Sequence, residues 1–237
     1  MPTTPNIEAI TTEVMNYLNA FTTKKSIGRP QIITAISKAV ERLYTPMDAF
    51  MSSNNIQTID LTNYVNVERL FAGANPFSSL DLSPLVNLKH LELFNLNGTM
   101  TSVDLSNNTA LEIVNFQFSY GINSIDVSAL VNLKELNIGS TSISALNIST
   151  NTLLEKLVFN NNTLSTLNIS NNPLLTYLDF GGNVLSSAEI DSILATLVAN
   201  NLNNGYVSLG GNNAPGSQGL TDKTTLEGRG WTVMVNS

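Results

Sequence analysis

The chain has no cysteine and a single histidine, His90, and charged residues make up only 12% of its 237 positions. Each shortage excludes something. Without cysteine there is neither a disulfide framework nor a thiolate zinc site, and a cysteine-dependent ubiquitin ligase is ruled out. One histidine, with no H-E-x-x-H phrase and no nucleophile at motif spacing, leaves no metalloprotease or triad pattern. The glycine-rich stretch Gly210–Gly219 lacks G-K-[ST], so it reads as a loop around Pro215 rather than a phosphate cradle. No apolar run reaches the ~20 residues that a membrane-spanning helix needs. Met1-Pro-Thr-Thr-Pro5 has no positive n-region, and Glu8 and Glu13 interrupt the apolar positions after it, so no secretory leader is expected. These absences predict a soluble chain made without secretion, with no cofactor and no membrane partner.

What is present is a body rich in Asn, Ser and Thr, 42% apolar, with a net charge of −7. The sign is uneven: residues 1–50 carry five Lys/Arg against four Asp/Glu, and the remainder carries six against fourteen. An acidic, amide-rich body lacks the basic footprint that nucleic acid requires.

The central signal is a repeat. Leu154-Glu-Lys-Leu157-Val-Phe159-Asn-Asn-Asn162-Thr-Leu164 fits L-x-x-L-x-L-x-x-N-x-L, and the next stretch, through Leu167, Ile169, Asn172 and Leu174, fits it again. Apolar pairs of L-x-L type recur from Ile59/Leu61 to Leu178/Phe180 at steps of 10 to 12 residues. Two steps make a coil of 21 to 23 residues, so about six coils fill residues 56–185. In a strand, L-x-L sends both flanking residues to one face and the middle one to the other. The pairs must therefore line a continuous core. Asn162, Asn172 and Asn183, just past the pairs, are placed to satisfy backbone groups of the turns, which makes them scaffold. The longer step around Leu96–Met100 predicts a slight bulge.

These phrases resemble the leucine-rich repeat family, in particular its short bacterial and bacteriophage form. The resemblance implies an α/β leucine-rich repeat solenoid of stacked parallel strands. It also implies a concave sheet whose outward residues meet ligands. Carried over position by position, those are Phe71, His90, Glu92, Phe94, Ile113, Asn115, Gln117, Glu135, Asn137, Lys156, Val158, Tyr177 and Asp179. Phe71, Phe94, Ile113 and Tyr177 are expected to stand exposed on an otherwise polar face, as a binding patch does.

The chain divides into three segments. Residues 1–50 predict two helices, one opened by Thr4-Pro5 with Ile7, Ile10, Val14, Leu18 and Phe21 on one face. The other is opened by Pro30, with Ile33, Ile36, Val40 and Leu43. Such a segment either caps the solenoid or serves as a docking or oligomerisation element. Residues 51–185 are the repeats. Residues 186–237 form a βαβ-like C-terminal cap: Ser186-x-x-Glu189 as a capping box, then a helix with Ile190, Ile193, Leu194, Leu197 and Val198. A strand at Tyr206–Leu209, a short helix over 221–227 and a strand near Gly230–Val235 complete it. The ending Thr224–Val233 is similar to tails of bacteriophage and Bacteroidetes repeat proteins.

Two carboxylate groupings bear on chemistry. Glu92 and Glu135, two coils apart, would stand ~10 Å from each other at ~4.8 Å per strand, near the separation of inverting glycosidases. Nothing signals burial of either, so both read as solvated surface. Asp60, Asp81, Asp104 and Asp126, continued by Asn147 and Asn168, stack one per coil. They read as a solvated stripe hydrogen-bonded to the adjacent serines, with a calcium ladder as the sharper alternative.

The sequence thus predicts a non-catalytic recognition or assembly module whose partner is a protein or a surface glycan. A bacteriophage virion component leads, docked on other virion proteins or self-associated through residues 1–50. It rests on the missing leader, the missing cysteine and the Asn/Ser/Thr-rich body. A bacterial cell-surface or secreted adhesin of the internalin-like kind is the alternative, and a polysaccharide-degrading enzyme is a distant third.

Overall fold

Alternation within three-residue strands decides the sheet. The computed structural model describes residues 47–50, 55–96 and 100–237, and Asp48–Ser237 is a compact unit of its own. The helices expected within residues 1–46, with their capping or docking role, fall outside the described residues. So do residues 97–99 of the expected bulge.

The strands are β1 (Met47–Phe50), β2 (Val67–Phe71), β3 (His90–Glu92), β4 (Ile113–Asn115), β5 (Glu135–Asn137), β6 (Lys156–Val158), β7 (Tyr177–Asp179), β8 (Tyr206–Ser208) and β9 (Thr232–Met234). They form one sheet in sequence order. From β2 to β9 every neighbouring pair is parallel and in register, with Leu70, Leu91, Val114, Leu136, Leu157, Leu178, Val207 and Val233 in one row. Strand β1 lies at the end of the 1–50 segment, past the stop expected for its second helix near Tyr44–Pro46.

That central row is buried, and so is the second member of each pair: Leu93, Phe116, Ile138, Phe159 and Phe180 are fully inaccessible. Phe159 and Phe180 stack with centroids 5.9 Å apart. Burying each such side chain contributes roughly 1.5–3 kcal/mol, which outweighs the weak local preference of so short a strand.

Just past each apolar pair the turn backbone would be buried without partners, and side chains supply them. Asn183 donates from Nδ2 to the carbonyls of Phe159 (2.9 Å) and Phe180 (3.0 Å) and accepts at Oδ1 from Leu164 N (3.0 Å). Asn162 and Asn212 repeat the arrangement. Thr141 Oγ1 lies within hydrogen-bond distance of Ile138 O (3.0 Å) and Asn162 Oδ1 (2.9 Å), between which its one proton is shared. Where Leu96 interrupts the row, Ser119 Oγ accepts from Leu96 N (3.1 Å) and donates to Leu93 O (3.0 Å). A second ladder runs past the other apolar pairs: Asn108, Asn151 and Asn172 each donate to two carbonyls. The asparagines are scaffold, as read from the sequence.

After β7 the connections lengthen to admit helices. Helix α1 (Ser187–Asn200) buries Ile190, Ile193, Leu194 and Leu197. Half of the expected capping box forms: Ser186 Oγ accepts from Glu189 N at 3.2 Å. The Glu189 carboxylate accepts instead from Leu167 N, 2.6 Å away, tying the helix to the preceding coil. Helix α2 (Ser217–Gly228) starts four residues ahead of the expected Thr221, so the loop from Gly210 closes at Gly216. The reason lies on α1, where Asp191 Oδ1 accepts from Gly216 N at 2.8 Å and holds the start of α2. The parallel β7-α1-β8-α2-β9 succession is the βαβ-like cap that the sequence predicts.

Candidate functional site

The strand residues that alternate with the core form two columns on the outer face of the sheet. One runs Arg69, His90, Ile113, Glu135, Lys156, Tyr177, Tyr206, Thr232. The other runs Phe71, Glu92, Asn115, Asn137, Val158, Asp179, Ser208, Met234. Phe94 and Gln117 lie just past their strands, where Ala74 N donates to Phe94 O and Asn95 N to Gln117 O. All thirteen residues singled out from the sequence therefore fall on one face or at its margin.

Their exposure differs from the expectation. Tyr177 is 36% exposed, whereas Phe71, Phe94 and Ile113 are half-buried. Phe71 packs on the His90 ring at 5.0 Å between centroids. The Phe94 ring covers Gly73, where a Cβ would come within 2.7 Å of it. Val158 is only 7% exposed, so it does not present itself to a ligand. The space that a side chain at Gly139 would need is taken by the Asn160 amide oxygen of the next coil.

The polar groups are knitted together in two halves. Toward β3 and β4, His90 Nε2 lies 2.9 Å from Glu92 Oε1, and Asn115 Nδ2 donates to Glu92 Oε2 at 2.6 Å. Asn137 Nδ2 then donates to Gln117 Oε1 at 3.3 Å. Toward β6–β8, Lys156 pairs with Glu135 at 3.3 Å and sits 5.6 Å from the Tyr177 ring centroid. The Tyr177 ring stacks on Tyr206 at 4.8 Å and 20°. Burial pushes the Tyr177 phenol above its ordinary range, helped by Tyr206 and Asp179, so its hydroxyl stays a neutral donor at ordinary pH. Glu92 and Glu135 are not in one column, since Glu135 aligns with Ile113 and His90, and each has its own partner.

Sequence reasoning missed two parts of this face. Tyr206, Ser208, Thr232 and Met234 continue the columns beyond Leu185, where the helices break the coil spacing. At the strand entrances Glu68, Lys89, Glu112, Lys134 and Glu155 alternate in sign, with Lys89–Glu68 at 3.0 Å and Lys134–Glu112 at 2.7 Å. The Glu112 hydrogen bond and charge raise the Lys134 pKa. The signal was the regular spacing of opposite charges one coil apart.

The acidic stripe is built as the sequence predicts. Asp60, Asp81, Asp104 and Asp126 each accept at Oδ1 from the backbone N–H two residues on. Asn147 and Asn168 do the same. Among the described residues no group of three or more His, Asp or Glu side chains is placed to hold a metal ion. Nor is any described helix long and apolar enough to cross a membrane.

In-register parallel strands, one per coil of 21 to 23 residues, closed by asparagine ladders, define an α/β leucine-rich repeat solenoid. Solved structures agree on the fold. The functional domain of InlJ from Listeria monocytogenes, which includes a cysteine ladder, is 26% identical with a TM-score of 0.53 over 73% of this chain and 41% of its own. A leucine-rich repeat protein of Leptospira interrogans is 20% identical, TM-score 0.61, covering 83% and 50%. Internalin C2 of Listeria monocytogenes is 20% identical, TM-score 0.60, covering 79% of each chain. The chain thus spans half or less of the first two. No protein-family model matches the sequence, and neither does any curated protein.

Proposed function

We propose that the outer face of the sheet is a non-catalytic recognition surface for a protein partner. One observation carries the reading. The Lys156–Tyr177–Tyr206 stack beside Asp179 holds an exposed aromatic and a cation in fixed positions, so little side-chain entropy is lost on binding. The hydrogen-bonded Glu92–Asn115 pair and the Gln117–Asn137 pair give the other half of the face the same rigidity.

The setting we favour is a bacterial cell surface or secreted protein, because the internalin and InlJ structures share the fold. The Asn/Ser/Thr-rich, cysteine-free composition supports a second setting, a bacteriophage virion component such as a fibre, tail or head-decoration protein. Mass spectrometry of purified virions and of cell-surface fractions separates the two. The role of the face is tested by Lys156→Ala and Tyr177→Ala in binding assays on the fraction that contains the chain. Each is expected to weaken binding about tenfold, while Ser106→Ala on the acidic stripe leaves it unchanged. Equal binding by all three variants would refute the face.

A further inference from the structure

Between each strand's apolar pair and the next, the chain crosses one flank of the repeats, and these segments carry no charged residue of their own; the Glu189 carboxylate meets them at Leu167 N. Residues 72–80, 93–96, 100–103, 116–125, 138–146, 159–167 and 180–188 contain no Asp, Glu, Lys, Arg or His. These segments stack coil on coil: Asn123 N donates to Thr101 O, Ser142 N to Ile122 O and Val184 N to Leu164 O. Exposed Asn, Ser and Thr side chains cover the flank. Within residues 55–185 the charged side chains lie on or beside the strands and in the aspartate stripe.

Two aromatic side chains stand out from this neutral surface. Phe118 is 43% and Tyr120 64% exposed, and Ser142 Oγ pins the Tyr120 carbonyl at 2.7 Å. Phe118 also has a φ of +62°. Its counterparts in other coils, Ala74, Asn95, Ser140, Asn161, Gly182 and Gly211, share the left-handed turn and are smaller residues. A side chain there is strained, because the left-handed backbone brings Cβ too close to the following carbonyl oxygen. Phe118 bears that strain while leaving 43% of its surface in solvent.

We propose that the Phe118–Tyr120 pair is the centre of a binding site for a neutral glycan, separate from the sheet face. The apolar face of a sugar ring stacks on an exposed aromatic ring, and its hydroxyls pair with uncharged amides and hydroxyls, which is what the flank offers around the pair. A flank without cations has nothing to neutralise the charge of an acidic polysaccharide or of nucleic acid. Two aromatics set among small polar groups also fall short of the roughly 800 Å² and apolar centre that a protein partner needs.

The test is native affinity electrophoresis of the full chain through gels containing dextran, mannan or galactan, with alginate as the anionic control. At least one neutral polymer should retard the chain. Phe118→Gly and Tyr120→Ala should each weaken the retardation about tenfold, Phe118→Gly without lowering Tm because it relieves the strained turn. Tyr177→Ala, on the sheet face, should leave the retardation as it is, so failure here and failure of the sheet-face reading are distinguishable. No retardation by any neutral polymer, retardation that survives both flank substitutions, or stronger retardation by alginate overturns the proposal. So does loss of a protein partner with these two substitutions in place of loss of glycan.

Discussion

Asn183 Nδ2 donates to the Phe159 carbonyl at 2.9 Å, across the boundary between two coils. The same side chain serves Phe180 O and Leu164 N; Asn162 and Asn212 also donate to the two carbonyls, so Leu164 N is the group that loses its partner outright when the amide is removed. Asn183→Ala should therefore destabilise by about 1–3 kcal/mol, read as a lower urea midpoint with an unchanged m value. Asn183→Thr should recover part of the loss, because Thr141 fills the equivalent place in an earlier coil. Equal losses for both would show that volume, not hydrogen bonding, matters at this position.

The left-handed turns give a paired test. Ala74 has φ +56° and Gly182 +67°, each donating its N–H to the next coil. Ala74→Gly is expected to be neutral or to stabilise by up to about 1 kcal/mol. Gly182→Ala is expected to lose about 1–2 kcal/mol, since its new Cβ also crowds Asn161. Thermal melts of both variants check the sign.

Asp191 and Gly219 should be energetically coupled. The Asp191 carboxylate caps α2 through Gly216 N and occupies the space that a side chain at residue 219 would need. Each of Asp191→Ala and Gly219→Ala should cost about 1–2 kcal/mol, and Gly219→Ala should cost less in the Asp191→Ala background. Additive losses in the double-mutant cycle would contradict the contact.

The aspartate stripe sets the acid response. Side-chain and backbone hydrogen bonds from Ser83 depress the Asp81 pKa, and backbone and side-chain bonds from Ser106 depress that of Asp104. Asp60 and Asp126 are lowered in the same way by Thr62 and Ser128. A depressed folded-state value contributes stability that is complete above the unfolded carboxylate pKa and is lost as pH falls through the folded value. Asp104→Asn keeps the acceptor, as Asn147 and Asn168 do, and removes the charge that works against Asp81 and Asp126. Its Tm should match that of the parent near neutral pH and fall less on acidification toward about pH 3. A steeper fall would reverse the assignment.

The repeat was legible because L-x-L spacing and core burial are the same physical fact, and the ladder asparagines follow from counting buried backbone groups. What escaped the sequence depended on contacts between coils. The Asn115 bond to Glu92, the approach of Asn160 to Gly139 and the diversion of Glu189 to Leu167 N each involve residues about 20 or more positions apart. Tyr206 was missed because α1 lengthens its coil and hides the register. The early start of α2 was missed because the residue that caps it, Asp191, lies on another helix. Phe118 reads as an ordinary aromatic until its positive φ and exposure are seen.

The central claim, that the sheet face carries recognition, is tested most directly by site-specific photo-crosslinking. A photoreactive residue at Tyr177, on the face, is compared with one at Ser149, beside the aspartate stripe, in the cell-surface or virion fraction that contains the chain. A discrete protein crosslink is expected from position 177, weakened by Lys156→Ala, and none from position 149. Crosslinks of equal yield from both positions, or from 149 alone, would contradict it.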